Sequence, residues 1–156
     1  MPELVVVASD ASVWSGPAHP SYLQNGGWAW VSSEFKYNVG VACGGSSVVE
    51  FIALQAAYNA HKDRLGQNIE FLVLVSDSEN ALGRLVKEND LPDTVVCVWV
   101  KGHRDFYLNC AADYLAKYTR LSGTYEHNDV PEGVREKIMK YVHKHHTVEF
   151  DSPDDL

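Results

Sequence analysis

Two rhythms of apolar residues run along the chain. Leu4 to Ala8 is a short unbroken apolar run rich in valine, which predicts a buried strand ending at Asp10. Small and polar residues from Ala11 to Gly26 predict a loop. Gly27 to Ser33 and Tyr37 to Cys43 predict two more strands, joined as a hairpin by the polar link Ser33-Glu34-Phe35-Lys36. Gly44-Gly45-Ser46-Ser47 then breaks the chain and offers a serine N-cap. From Val48 to Arg64 the rhythm turns helical, with Val49, Ile52, Ala53, Ala56, Ala57 and Ala60 on one face. A second continuous apolar run, Ile69 to Ser76, predicts a strand. Ser78 to Asn89 predicts a helix that turns Ala81, Leu82, Leu85 and Val86 inward, Thr94 to Lys101 another strand, and Asn109 to Leu121 another helix. Three strands followed by alternating helices and strands describe an α/β fold. It has a mixed five-stranded sheet, three antiparallel strands first and then parallel ones, flanked by helices.

The C-terminal part reads differently. Ser122 to Val130 is a linker, and Pro131 to His146 predicts a helix with Val134, Ile138, Tyr141 and Val142 on one face. The expected organisation is a domain over residues 1–122 and a C-terminal extension over 123–156, with a helix at 131–146. A total of 156 residues fits one domain with its own core. No run is apolar and long enough to span a membrane, and no basic, apolar leader opens the chain. Cys43, Cys97 and Cys110 form no CxxC pair, which suggests reduced thiols and a cytoplasmic setting.

Charge narrows the function. A formal net charge of −8 argues against a strong non-specific grip on nucleic acid, which Lys and Arg normally supply. It does not argue against metal chemistry, because carboxylates that hold cations enter that sum as negative. Asp10 and Asp77 each follow an apolar strand, Glu50 interrupts the first turn of an alanine-rich helix, and Asp113 lies near the start of another helix. A single Asp after a strand is ordinarily a turn or helix cap. Four acids converging on one end of a sheet repel one another unless cations neutralise them. An all-oxygen set selects Mg²⁺ or Mn²⁺ over zinc.

Other features carry less. His143, His145 and His146 lack zinc-like ligand spacing and read as a solvated helix end. Lys137, Lys140 and Lys144 form a basic strip that makes the extension a candidate nucleic-acid or protein contact. Trp28, Trp30 and Trp99 are expected in the core, while Trp14, in a loop, is placed to stack on a base.

The run Trp99-Val100-Lys101-Gly102-His103, with Asn109-Cys110-Ala111-Ala112-Asp113 placing an aspartate ten residues after the histidine, resembles the type 1 ribonuclease H family. Ser9-Asp10-Ala11-Ser12, Val49-Glu50-Phe51, Ser76-Asp77-Ser78 and Gly26-Gly27-Trp28-Ala29-Trp30 resemble that family's other motifs, so the likeness covers about residues 4 to 121. With a single helix between Asp77 and Trp99, the chain is similar to the short branch lacking the basic protrusion. The resemblance implies an endonuclease that hydrolyses the RNA strand of RNA–DNA hybrids with two divalent ions, Mg²⁺ or Mn²⁺. Asp10, Glu50, Asp77 and Asp113 would hold them. One ion would activate the attacking water and the other would stabilise the leaving 3′ oxygen. His103 would join the catalytic set from a mobile loop. Substrate contacts are implied at Ser12, Ser46, Ser47, Glu79, Lys101 and Asn109. Ala11 stands where the family has glycine, Ser46-Ser47 where it has an Asn pair, and Glu79 where it has Gln. Losing amides from a minor-groove reader bears directly on substrate preference. The alternatives are another ribonuclease H-like nuclease, such as a junction resolvase or an exonuclease, and a non-catalytic domain that binds nucleic acid or protein.

Overall fold

A computed structural model describes residues 3–13, 26–101 and 106–122 of the chain. The expected extension helix at 131–146, Trp14 and His103 lie outside the described residues. Five strands form one sheet: β1 (Glu3–Val13), β2 (Gly26–Ser32), β3 (Tyr37–Ala42), β4 (Ile69–Ser76) and β5 (Val95–Trp99). Three helices accompany them: α1 (Ser46–His61), α2 (Glu79–Glu88) and α3 (Tyr107–Ser122), with a 3₁₀ turn at Lys62–Arg64. The spatial order is β3-β2-β1-β4-β5. β1, β2 and β3 pair antiparallel, and β4 and β5 add parallel to β1. This is the mixed sheet that the sequence predicts.

β1 is the middle strand, and Val5 to Ala8 of its apolar run are buried on both faces, while Leu4 at its start is exposed. Val5 and Val7 pack with Leu54, Tyr58, Leu72, Leu74, Leu82 and Leu85 on the α1–α2 side. Val6 and Ala8 pack with Val73, Val75, Leu108, Ala112, Leu115 and Ala116 on the α3 side.

The strand is longer than its apolar run. Ala11, Ser12 and Val13 continue the ladder against Trp28, Gly27 and Gly26, so the expected loop at Ala11 is strand, and Asp10 lies inside β1 opposite Ala29. Backbone pairing with β2 carries the polar residues along. α1 is capped by Gly45, with no side-chain cap, and Ser46 and Ser47 are its first residues rather than the cap. Its buried stripe is Val49, Glu50, Ala53, Leu54, Ala57, Tyr58 and His61, while Ala60 is exposed. The bulkier Leu54 and Tyr58 take the sheet in place of Ile52 and Ala60. On α2 the expected core residue Val86 is 55% exposed, because Ala81, Leu82 and Leu85 already fill the contact.

One ion pair closes the far end of α1. Arg64 donates from both terminal nitrogens to the two Glu34 carboxylate oxygens at 2.7 Å, a bidentate pair between the hairpin turn and the 3₁₀ turn. Beside it His61 is buried, meets the Ala57 carbonyl at 2.7 Å through Nδ1, and stands edge-on to Trp30 at 5.0 Å.

α3 crosses β2 at Gly27. A Cβ there would meet the Ala116 carbonyl oxygen and the Arg120 amide nitrogen at 2.5 Å each. Both are backbone atoms and cannot rotate away. Gly27→Ala should therefore destabilise the fold by about 1–3 kcal/mol, the range for overpacking. Urea unfolding should show a lower midpoint with an unchanged slope; an unchanged midpoint would mean that α3 can lift without cost.

Candidate metal centre

The central strand ends its apolar run with Ala8, Ser9 and Asp10, all buried, and Asp10 is only 2% exposed. Asp10 keeps the parity of Val6 and Ala8, four and two residues before it. α1 starts where β3 ends and brings Glu50, 8% exposed, to the same end of the sheet. Asp77 follows β4 in the turn to α2. That turn is tightly defined: the Ser78 amide donates to Ser76 Oγ at 3.1 Å, and Ser78 Oγ caps α2 by accepting from the Ala81 amide at 3.1 Å.

Carboxylate oxygens of Asp10, Glu50 and Asp77 all lie within 4.8 Å of one another. Asp113 is outside that group but close enough for its charge to act on both Asp10 and Glu50. It lies in the second turn of α3, later than the sequence reading placed it. Lys117, one turn on, pairs with Asp113 Oδ2 at 3.2 Å.

Burial pushes the Asp10 carboxyl up to about 10, reinforced by the charges of Glu50 and Asp77 and opposed by the Ala11 amide, which donates to Asp10 Oδ1 at 2.8 Å. Burial also raises Glu50, to about 8, aided by Asp77 and offset by hydrogen bonding from Asp10 and Ala11. Both shifts come first from burial and then from the neighbouring acids.

The residues fit a hard divalent cation. Glu50 Oε2 is buried and has no hydrogen-bond partner among the described residues. The donors are all oxygens, and their spacing allows one ion to touch three of them. The triad could therefore hold a metal ion, with Asp113 positioned to contribute charge.

The remaining expected site residues lie on several elements. Ser12 is half-buried, and its hydroxyl accepts from Arg120 Nε at 2.7 Å. Ser46 and Ser47 are exposed in the first turn of α1, and Glu79 is exposed at the first position of α2. Lys101 is exposed just beyond β5. Asn109 is fully buried, and neither its amide nitrogen nor its amide oxygen has a partner among the described residues. His103 lies outside the described residues. Lys117 and Arg120 were not read from the sequence as part of the site, although their spacing of four and seven from Asp113 puts all three on one helix face. Trp99, expected in the core, is 46% exposed on the edge strand, and its indole N–H donates to the Asp77 carbonyl at 3.0 Å.

Comparison with solved structures gives the architecture its place. LC9-RNase H1, described as a type 1 RNase H with the type 2 active-site motif, superposes with a TM-score of 0.57 at 16% identity, covering 87% of this chain and 81% of its own. The fold is ribonuclease H-like. LC11-RNase H1, solved in complex with an RNA/DNA hybrid, gives 0.54 at 12% identity over 76% of this chain and 98% of its own. The foamy viral protease-reverse transcriptase, solved in complex with dsDNA, gives 0.55 at 14% identity over 76% and 94%. No family model and no curated sequence matches the chain. The ribonuclease H-like likeness is thus one of fold, carried at an identity too low for sequence comparison.

The raised carboxyls fix the sign of a pH effect. In the unfolded chain Asp and Glu titrate near 4. In the folded apo protein Asp10 and Glu50 hold their protons to about 10 and about 8. The folded state binds more protons across that window, so stability fully present below about pH 4 is lost progressively as pH rises through about 8 and about 10. Melting in EDTA should fall steadily from pH 5 to 9. Asp10→Asn should flatten that fall and raise apo stability at pH 8, and Mg²⁺ should stabilise the wild type but not the variant. A wild-type melting temperature that stays level from pH 5 to 9 in EDTA would show that the cluster is not strained.

Proposed function

We propose that this chain is a divalent-metal-dependent endonuclease that hydrolyses the RNA strand of RNA–DNA hybrids. The observation that carries the reading is the convergence of Asp10, Glu50 and Asp77 within 4.8 Å at the end of the central strands of a ribonuclease H-like sheet. A domain built only to bind nucleic acid or protein gains nothing from that mutual repulsion.

Asp10, Glu50, Asp77 and Asp113 would hold two divalent ions, Mg²⁺ or Mn²⁺. When bound, such ions supply charge neutralisation at the phosphate and an activated water as nucleophile. The protein's part is geometric. β1 fixes Asp10 by ladder register, the turn after β4 carries Asp77, and α1 delivers Glu50. Arg120, held by Ser12, and Lys117, beside Asp113, supply positive charge next to the acidic centre in a chain that is otherwise acidic. His103 would assist proton movement.

Hybrid is the favoured substrate because a solved neighbour of the same fold binds one, whereas another was solved with dsDNA. The rim qualifies that preference. Ser46, Ser47 and Glu79 are exposed at helix starts, where amides would reach further. An ionised Glu79 can only accept hydrogen bonds and repels phosphates.

Two measurements test the reading. Asp77→Asn should lower Mg²⁺-dependent cleavage of a labelled hybrid by more than about 100-fold, beyond what loss of an outer-sphere partner causes. Near-normal turnover in that variant, or equal wild-type cleavage in EDTA, would sink the metal mechanism. Glu79→Gln should tighten hybrid binding in salt titrations while leaving the salt slope nearly unchanged, since it adds no cation. Cleavage of duplex DNA or junctions in preference to hybrid would redirect the assignment within ribonuclease H-like nucleases.

A further inference from the structure

We infer that Trp99 is a positioning residue for Asp77, holding the backbone of that carboxylate through its indole N–H; this rests on Asp77 being a metal ligand. Asp77 is the one member of the triad that lies in a turn rather than in a strand or helix. Its side-chain position therefore depends on how firmly its two peptide planes are held. The preceding one is fixed, because the Ser76 carbonyl accepts from the Val100 amide at 3.0 Å. The following one carries the Asp77 carbonyl, which accepts from Trp99 Nε1 at 3.0 Å, across 22 residues of chain.

The exposure of Trp99 makes this contact informative. A strand tryptophan is expected to bury its ring, yet Trp99 is 46% exposed on the edge strand β5, paired with Ser76. Its ring is not a core plug, and Cys97 and Val95, at the same parity of β5, already close that side. The specific contact of the indole is with the carbonyl that adjoins a triad carboxylate. Metal ligands must hold position to within roughly 0.5 Å, so rotation of one peptide plane is enough to matter.

The test uses the full chain with Trp99→Phe and Trp99→Leu. Mg²⁺ affinity is measured by calorimetry, and the indole N–H signal of Trp99, identified by its loss in Trp99→Phe, is followed by NMR in the wild type. Both variants lack the donor, so both should bind Mg²⁺ about three- to tenfold more weakly, the range expected for one neutral hydrogen bond. For hybrid cleavage, kcat should fall while KM stays near wild type. The wild-type indole signal should shift as Mg²⁺ is added, and melting in EDTA should show that both variants remain folded. If Trp99→Phe keeps wild-type affinity and only Trp99→Leu loses it, the ring packs and does not position, and the inference is wrong. An indole signal unmoved by Mg²⁺ that calorimetry shows to bind also overturns it. A wild-type chain that binds no Mg²⁺ removes the metal reading, and the inference with it.

Discussion

A carboxylate on the middle strand of a five-stranded sheet is taken out of water on every side, and the local structure can be understood from that constraint. Asp10 is 2% exposed, paired with Ala29 of β2 just past the point where the ladder to β4 ends. Desolvating a lone carboxylate is costly, and adding Glu50 and Asp77 nearby makes it worse. Within the chain the Ala11 amide donates to Asp10, and Lys117 pairs with Asp113. A fold selected only for stability would place alanine or valine at position 10, as at positions 7 and 8.

Elements whose rhythm matched their surroundings were legible in the sequence. β4 matches the sequence expectation to the residue, because Leu72 to Val75 form an unbroken buried apolar run with sharp borders. The continuation of β1 through Ala11, Ser12 and Val13 was not, because antiparallel pairing with β2 imposes strand geometry on residues whose composition suggests a loop. The stripe on α1 was read one step around the helix. Alanines fit either face, and only the assembled sheet shows that Leu54, Tyr58 and His61 turn inward. The exposure of Trp99 was hidden for a related reason. Tryptophan in a strand signals burial, but β5 is an edge, and no sequence pattern states which strand ends the sheet.

The same distinction applies to the site. Asp10, Glu50 and Asp77 were recognisable because each interrupts or closes an apolar segment, where a charge is conspicuous. Arg120 and Lys117 were not, since basic residues on a helix are ordinarily a solvated face. Their relation to the centre becomes visible only when α3 lies across β2 at Gly27 and brings Arg120 to Ser12. That packing ties the Arg120 guanidinium to the strand that carries Asp10.

The carboxylates also differ in how their positions are secured, and the difference follows from the elements that carry them. Asp10 is fixed by ladder pairing, and a slip of one residue would exchange it with Ser9 and reverse every side chain of β1. Such a slip would also turn Val5 and Val7 away from Leu54 and Leu72, so the apolar packing of both layers holds the register of the acid. Glu50 and Asp113 depend instead on how their helices seat, and seating is set by small residues: Ala53 and Ala57 under α1, Ala112 and Ala116 under α3, with Gly27 opposite. Close approach of a helix axis to a sheet needs such residues, because any larger side chain at the contact lifts the whole helix and its acid with it. The small residues of the core therefore set the spacing of the clustered carboxylates.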